Sequence, residues 1–345
     1  VDNDDICDDV DDCVGDYDCD GICNGDNLPD GFDICGGDNT IQGALDFFGE
    51  GANISVPPGT YYESLNISNN DVHIDGNGAT LDASGFTNGI LVSADFINIG
   101  QLEIIGDDAT IAGINVTPGS EMIEINDNVI HGMSHPNDGA DSPLAYGILV
   151  WGNPADGDDP PRDIYINNNE IYETLGTGIS LGTLTENVEI MDNHIHDITP
   201  VFYDGQLISL GVNGELATDV YVSNNQFDNL LMGSSFAFST GAVENNNYGF
   251  GIPIFHATTV PSNVEFQVDA FWAFAEILEI PDSDFTIGAY FSSLDLAFQY
   301  ALDGTTIETS DGDEIAQDCM GDWGGDAVED CAGDCGGDAV EDCAG

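Results

Sequence analysis

The chain has 345 residues, of which 41% are apolar and 13 are proline, so it is long enough to bury a substantial core. Its charge is extreme, because 65 acidic residues face a single basic residue, Arg162, and the formal net charge is -64. Nucleic acid binding requires clustered lysine and arginine, and this chain has no such cluster, so a nucleic-acid partner is excluded. No apolar run is long enough to cross a bilayer, which argues against membrane insertion.

The same charge predicts the environment of the protein. Self-repulsion opposes compaction unless cations bind or salt screens the charges, and the screening length falls from about 10 Å at 0.1 M salt to about 3 Å at 1 M. We therefore expect a saline or calcium-rich setting, extracellular or at the cell surface. The chain starts at Val1 rather than methionine, which predicts a portion of a longer product.

Composition divides the chain into four segments. These are residues 1–38, rich in Asp and Cys; 39–250, with short alternating apolar runs; 251–312, which lack a clear pattern; and 313–345, rich in Asp, Cys and Gly. The last segment is a twelve-residue repeat that starts at Asp318, Asp330 and Asp342, and the first segment carries a looser form. Related repeats at both ends predict a unit from a tandem array.

Residues 39–250 have an internal period of their own. Gly-Ile pairs mark it at Gly89-Ile90, Gly113-Ile114, Gly147-Ile148 and Gly178-Ile179, with weaker counterparts expected at Leu207-Ile208 and Phe236. The alternating runs between them predict strands, and each contains an asparagine turn, at Asn128, Asn169, Asn193, Asn225 and Asn246. One coil of short strands cannot form a core alone, so the pattern predicts a solenoid with asparagines stacked from coil to coil.

These coils resemble those of the pectin-lyase-like right-handed β-helix superfamily. Thr40–Phe48, followed by Ile54–Tyr61, resembles the capping helix and first coil of that family. The resemblance covers roughly residues 40–250. It implies an all-β fold, a right-handed parallel β-helix (solenoid) with a short N-terminal capping helix, flanked by loop-rich repeats stabilised by calcium and disulfides. It says little about activity, because this fold hosts lyases, hydrolases, epimerases and adhesins.

Residues 251–312 allow two interpretations. Phe266–Ile280 is rich in aromatic and apolar residues, and Ser293–Leu302 has helical spacing. The segment either caps the open end of the solenoid, whose strands would otherwise be unpaired, or opens another β-helix unit, because Ser293–Gly312 repeats the layout of Thr40–Gly59.

The first segment carries the strongest chemical signal. Carboxylates at alternate positions from Asp16, with Gly21 at the sixth, supply the oxygen ligands and sharp turn that Ca²⁺ prefers. Asn27 replaces the glutamate of an EF-hand, and the loop looks more like those of thrombospondin type 3 repeats. The predicted ligands are Asp16, Asp18, Asp20, Asn24 and Asp26, with Asp2, Asp4 and Asp8 in a degenerate preceding copy. The alternative is a solvated acidic tail.

Nine cysteines are confined to the two ends of the chain. They are Cys7, Cys13, Cys19, Cys23, Cys35, Cys319, Cys331, Cys335 and Cys343. Cysteines in segments too polar to form a core predict disulfides and an oxidising exterior. A thiolate metal site is the alternative, although the usual zinc-knuckle spacing is missing.

The case for catalysis is weaker. The polyuronate lyases of the family that the coils resemble use Arg or Lys in catalysis. This chain has only Arg162, which lies in a proline-rich loop, where a lone arginine typically forms a surface ion pair. His131 and His196 occupy matching outward positions, with Tyr172 on the coil between them. His135, Tyr146 and Trp151 lie on or beside two insertions that lengthen the coils. Outward aromatics can stack on sugars, and His with Asp127 or Asp192 can perform acid–base chemistry. The catalytic candidates are therefore His131, His196 and Arg162, and ordinary exposed strand residues are the favoured alternative.

Taken together, these patterns favour an extracellular, calcium-stabilised structural or adhesive protein, a self-associating subunit of a filament, stalk or surface layer. Ca²⁺ is the one cofactor expected. The alternative is a carbohydrate-active enzyme, a polysaccharide lyase, hydrolase or epimerase, or a carbohydrate-binding module tethered by the repeats. Asn53, Asn66 and Asn115 begin glycosylation sequons.

Overall fold

The computed structural model of the chain describes residues 17–23, 26–135, 144–152, 159–203, 206–249, 253–257, 263–267, 272–279, 286–291, 293–328 and 335. Helices and strands are numbered in chain order. Within the described residues, the strands form three long sheets, named A, B and C here, and one hairpin. The chain visits A, B and C in turn on each coil, as in a right-handed parallel β-helix.

Each sheet is built by strands from successive coils. Sheet A contains β1 (Asn53–Ser55), β4 (Val72–Asp75), β7 (Ile97–Gly100), β10 (Glu121–Asn126), β13 (Arg162–Asn167), β16 (Glu186–Met191), β21 (Thr218–Ser223), β24 (Thr240–Glu244) and β27 (Asn263–Gln267). Sheet B contains β2 (Thr60–Tyr61), β5 (Thr80–Asp82), β8 (Glu103–Ile105), β11 (Val129–His131), β14 (Glu170–Tyr172), β17 (His194–His196), β22 (Gln226–Asp228) and β25 (Asn247–Tyr248).

Sheet C has the most strands, and the pairing of its last strands is antiparallel rather than parallel. It contains β3 (Leu65–Ile67), β6 (Asn88–Val92), β9 (Ala112–Val116), β12 (Ala145–Val150), β15 (Gly176–Leu181), β20 (Leu210–Glu215), β23 (Met232–Ala237), β26 (Pro253–Ala257), β29 (Thr286–Phe291), β28 (Ala273–Glu279), β30 (Thr306–Thr309) and β31 (Glu314–Ala316), in spatial order. The hairpin pairs β18 (Val201–Tyr203) with β19 (Gln206–Ile208).

Inward and outward side chains alternate along each strand, and the inward ones form the core. Inward residues are buried and stack on their equivalents in the next coil, as Ile125, Ile166 and Ile190 do in sheet A. Coils lie about 4.8 Å apart, so each inward side chain contacts the one above and the one below. The aliphatic sequence pattern therefore becomes a continuous buried column.

The Gly-Ile period is confirmed over four coils, because Ile90, Ile114, Ile148 and Ile179 are in register in sheet C. Its predicted continuation is wrong. The next partner of Ile179 is Val212, and the one after is Ser234. Leu207 and Ile208 lie in the hairpin instead, since an insertion between β17 and β20 delays the next coil.

The predicted asparagine stack is also confirmed. The side-chain oxygen of Asn193 accepts the backbone N–H of Asn169 at 2.9 Å, and its amide group donates to the Asn225 oxygen at 2.9 Å. Asn128 begins the stack, and the Asn246 side chain accepts the backbone N–H of Asn225 at the other end. The left-handed conformation falls on the residue before each ladder asparagine, in the corner between sheets A and B.

A short helix covers the N-terminal end of the coils, as predicted. In α1 (Ile41–Phe48), the Thr40 hydroxyl accepts the N–H of Gly43 at 2.9 Å. The Glu63 carboxylate accepts the N–H groups of Ile41 at 2.8 Å and Gln42 at 3.0 Å, and burial raises the pKa of that carboxyl. These oxygens satisfy N–H groups that have no partner within the helix.

The C-terminal end is built differently. Strand β29 pairs antiparallel with β26 and β28, and β30 and β31 extend the sheet, also antiparallel. The helical spacing around Ser293 is confirmed by α2 (Leu294–Tyr300), which packs with Ala289, Phe291 and Ile307 in a second small core. The described strands between residues 272 and 316 thus pair antiparallel, and both interpretations of this segment, a cap or the start of a further unit, stay predictions. Among the described residues, neither helix is long or apolar enough to cross a membrane.

Candidate functional site

In the part of the chain that the structure describes, the candidate functional residues lie in two places: the aspartate-rich turns at the ends, and a group of histidines on sheet B. We use the name Asp turn for a ten-residue loop whose first residue is a capping aspartate. In the turn that starts at Asp18, the carboxylate accepts the backbone N–H groups of Asp20 at 3.0 Å, Ile22 at 2.8 Å and Asn27 at 3.4 Å. One side chain therefore joins the two ends of the loop.

Two further Asp turns have the same geometry. The Asp30 carboxylate accepts N–H groups from the third, fifth and tenth residues of its turn, at 2.9, 2.9 and 3.2 Å. The Asp318 carboxylate does the same at 2.9, 3.0 and 3.1 Å. Backbone hydrogen bonds, led by the one from Asp322, hold the pKa of Asp318 below its usual value. The N- and C-terminal segments therefore share one local fold.

Disulfides crosslink these turns, and the two cysteines of each disulfide have the same separation in sequence. Cys19–Cys35 and Cys319–Cys335 each join residues 16 positions apart, with Cα atoms 5.5 Å apart. Cys23 is also disulfide-bonded. The prediction of disulfides is confirmed for these residues, and their sulfur atoms are therefore not thiolate ligands. The remaining four, Cys7, Cys13, Cys331 and Cys343, lie outside the described residues.

The predicted calcium ligands are only partly described. Asp18 is buried and caps its turn, whereas Asp20 and Asp26 are exposed. The Asp20 carboxylate accepts the side-chain amide of Asn27 at 2.6 Å. The other predicted ligands, Asp2, Asp4, Asp8, Asp16 and Asn24, lie outside the described residues. Calcium binding stays a prediction.

The structure brings together the predicted residues of sheet B. His131 pairs with Tyr172 in register, and Tyr172 pairs with His196 on the next coil. The three rings stack, with centroids 4.6 and 5.1 Å apart and planes within 6° and 10° of parallel. We call this stack the histidine column. Burial, followed by the negative charge of Glu170, raises the pKa of Tyr172.

The stacking decides what the column can bind. Both faces of the Tyr172 ring are covered, by His131 on one side and His196 on the other. A sugar ring stacks on an aromatic face, so Tyr172 offers only its edge and hydroxyl. The predicted sugar platform is therefore not formed at this position.

Carboxylates contact the outer histidines. The His131 Nε2 atom lies 3.5 Å from the Glu103 carboxylate, and the His196 Nε2 atom lies 3.3 Å from that of Glu170. These partners are not the predicted Asp127 and Asp192, which occupy left-handed corner positions with φ of 57° and 58°. Cross-strand neighbours on sheet B supply the carboxylates instead.

A further histidine belongs to this group and was not among the predicted residues. His194 lies two residues before His196 on β17, so both side chains point outward, with ring centroids 4.2 Å apart. Its Nε2 atom is 3.0 Å from the Asp228 carboxylate. The signal that would have revealed it is the His-x-His spacing in a predicted strand.

The third catalytic candidate lies elsewhere. Arg162 begins β13 in sheet A, whereas the histidine column is in sheet B. Arg162 forms an ion pair with Glu121, its register neighbour, and this hydrogen bond raises the arginine pKa. It is therefore the surface ion pair that the sequence favoured.

The three sequons differ in accessibility. Asn53 and Asn66 are exposed on β1 and β3, whereas Asn115 is half-buried on β9. The side-chain nitrogen of Asn115 donates to the Asn88 oxygen at 3.1 Å. A glycan on Asn115 would replace one of the two hydrogens on this half-buried nitrogen, and glycosylation at all three remains a prediction.

Neither a protein-family model nor a curated protein sequence matches the chain. Comparison with solved structures finds PfbA, a surface adhesin of Streptococcus pneumoniae, at 14% identity and a TM-score of 0.42, covering 66% of this chain and 72% of that one. An alginate lyase from Paenibacillus sp. aligns at 15% identity and a TM-score of 0.35, covering 67% of this chain and 96% of that one. The periplasmic alginate epimerase AlgG aligns at 15% identity and a TM-score of 0.37, covering 61% of this chain.

The chain spans about half of the epimerase, 48% of its length. At such low identity and TM-score, the similarity concerns the fold alone and carries no argument about activity.

Proposed function

We propose that the chain is an extracellular structural or adhesive protein, a repeating subunit of a filament, stalk or surface layer, with the β-helix as its rigid rod. The observation that carries this proposal is that the same disulfide-stapled Asp turn lies before and after the rod. A module that recurs on both sides of a rod is suited to connecting rods in series.

The turns are anchored to the rod at both ends. Phe32, in the turn of Asp30, is buried and lies 6.0 Å from the Tyr61 ring of the first coil, centroid to centroid. Trp323, in the turn of Asp318, stacks on Phe298 of α2 with centroids 5.9 Å apart. Rigid attachment at each end would let a chain of such units transmit force and keep its direction.

Calcium is the ion that this proposal requires at the ends. The turns are too small to form a core, and their exposed carboxylates, such as Asp20 and Asp26, repel one another at a net charge of -64. Carboxylate and backbone oxygens are the ligands that Ca²⁺ prefers. Ca²⁺ held by the turns would both rigidify them and reduce the repulsion between adjoining units.

The test compares the full chain in excess calcium with the same chain in excess chelator. Analytical ultracentrifugation and electron microscopy report assembly, and digestion with chymotrypsin, a serine protease that stays active in chelator, reports order at the ends; trypsin is unsuitable because Arg162 is the only lysine or arginine in the chain. We expect chelation to shorten assemblies and expose the terminal segments to cleavage, and calcium to restore both. Unchanged assembly and unchanged cleavage in chelator would refute the proposal.

A carbohydrate-active function is the second candidate. It is favoured by the close His–carboxylate pairs on sheet B, His131 with Glu103 and His196 with Glu170, because such pairs can transfer protons. The half-exposed Trp151, next to β12, remains available for stacking on a sugar.

Incubation with neutral and uronate polysaccharides tests this candidate. Reducing ends report hydrolysis, and absorbance of unsaturated products reports a lyase. If activity appears, His131→Ala and His196→Ala should reduce it at least tenfold, while the distant His73→Ala, on sheet A, should leave it unchanged. Activity that survives both substitutions would remove the histidine column from the mechanism.

A further inference from the structure

Two imidazoles and two carboxylates meet on the outer face of sheet B. One ligand atom each from Glu170, His194 and His196 lies within 4.8 Å of the others. The Asp228 carboxylate adjoins them, 3.0 Å from the His194 Nε2 atom. We infer that this cluster, named the His-x-His cluster here, binds a divalent transition-metal ion of the zinc class.

The fold places these residues together from three coils. His194 and His196 alternate on β17, so both project outward from the same strand. In the parallel register, Glu170 lies beside His194 on the preceding coil, and Asp228 lies beside His196 on the following one. The carboxylates therefore flank the imidazoles diagonally, as ligands on opposite sides of one ion would.

The spacing suits coordination after small side-chain rotations. Zinc binds nitrogen and oxygen at about 2.0–2.2 Å, so tetrahedral ligand atoms lie roughly 3.3 Å apart. The His196 Nε2 atom is already 3.3 Å from the Glu170 carboxylate. The Glu170 side chain is about half exposed, at 47%, so it can rotate without disturbing the core.

A second carboxylate orients one of the imidazoles. The His196 Nδ1 atom lies 2.7 Å from the Asp197 carboxylate, which also accepts the Asn229 amide at 2.5 Å. This contact leaves Nε2 directed at the cluster. Metal-binding histidines commonly use their other ring nitrogen in this way, and such partners raise the basicity of the ligand.

The donor set selects the class of ion. Two imidazoles with carboxylates suit zinc and its neighbours in the first transition row, whereas Ca²⁺ and Mg²⁺ prefer all-oxygen sites. The His-x-His cluster therefore differs in preference from the carboxylates that cover the rest of the surface. A simple ion pair between protonated histidine and carboxylate is the competing explanation, and it predicts no preference for zinc.

The test is a zinc titration of the oxidised full chain by calorimetry in excess calcium, which occupies general carboxylate sites. We expect one zinc ion per chain. His194→Gln and His196→Gln should each weaken binding at least tenfold, and Asp197→Asn by roughly tenfold. His73→Gln, on sheet A, is the control and should bind as the wild type does. Circular dichroism verifies that each variant is folded.

A measurement on the wild-type chain keeps the inference testable if a variant fails to fold. Diethyl pyrocarbonate modifies accessible imidazoles, and mass spectrometry locates the modified residues. Zinc should protect His194 and His196 while leaving His73 reactive. The inference is overturned if calcium abolishes zinc binding, if both glutamine variants retain wild-type affinity, or if zinc protects neither residue.

Discussion

The stacked asparagines allow a stability prediction for Asn193→Ala. The Asn193 side chain accepts two hydrogen bonds from Asn169, at 2.9 and 3.0 Å, and donates to the Ile166 carbonyl at 2.8 Å and to the Asn225 oxygen at 2.9 Å. Alanine leaves the Asn169 N–H and the Ile166 carbonyl buried without this partner. Each such group costs about 1–3 kcal/mol, so we expect the free energy of unfolding to fall by about 2–6 kcal/mol.

Urea denaturation followed by circular dichroism measures this change. The matched control is Asn53→Ala, at an exposed strand position, which should change the free energy of unfolding by no more than about 0.5 kcal/mol. The denaturant slope should be the same in both variants, since the exposed area is the same. If Asn193→Ala with an unchanged slope costs less than about 0.5 kcal/mol, the ladder does not stabilise the coils as argued.

Asn193→Asp tests the same contacts through pH. The substitution keeps the shape of the side chain but places a carboxylate oxygen where the amide donated, beside carbonyl oxygens in the buried stack. Burial and these oxygens should raise the folded-state pKa of the new carboxyl above the unfolded value of about 3.9. A raised folded-state pKa means that the variant's loss of stability relative to the wild type is smallest below about pH 4 and grows as the pH rises through the folded-state pKa. Equal destabilisation at all pH values would contradict this account.

Three further predictions follow from the turns and the coil spacing. The disulfide span of 16 residues predicts that Cys23 is bonded to Cys7, and pepsin digestion with mass spectrometry should find that linked peptide. Backbone hydrogen bonds lower the pKa of Asp318, so its turn should be ordered above about pH 4 and loosen as the pH falls through the folded-state pKa. Trp323 fluorescence would report this transition, and Asp318→Asn should remove it. A Cβ atom on Gly178 would lie 2.8 Å from a backbone oxygen of the next coil, so Gly178→Ala should cost about 1–3 kcal/mol in a urea titration; an undiminished midpoint would contradict this.

Much of the fold could be predicted because each coil of the solenoid requires the same types of residue at the same positions. Every coil needs an inward aliphatic residue at the same place, so the spacing of Ile90, Ile114 and Ile148 along the sequence reveals the register of sheet C. The capping helix was equally legible, because Thr40 is a residue type that accepts the first N–H groups of a helix. The error at Leu207-Ile208 shows the limit, since these apolar residues lie in a hairpin inserted between two coils.

The sheet B site was harder to predict, because its contacts depend on side-chain conformation as well as on register. His131, Tyr172 and His196 could be aligned from their distance to the ladder asparagines. The same distance places Glu170 beside His194 and Asp228 beside His196, but the contacts that form are the diagonal ones, His196 with Glu170 and His194 with Asp228, and these depend on side-chain conformation.

The parallel register also limits the electrostatic repulsion that the acidic composition causes. In the described parallel strands, no pair of register neighbours joins two acidic residues; Glu124, for example, lies beside Tyr165, and Tyr165 beside Glu189. Two carboxylates on adjacent coils, about 4.8 Å apart, would repel by about 1 kcal/mol even in water. Two coils of separation, roughly 10 Å, equal the screening length at 0.1 M salt. An acidic pair does occur where the strands are antiparallel, Glu308 with Glu314, beside the C-terminal Asp turn. Repulsion therefore concentrates in the turns and the ends, which is where a bound cation would stabilise the chain most.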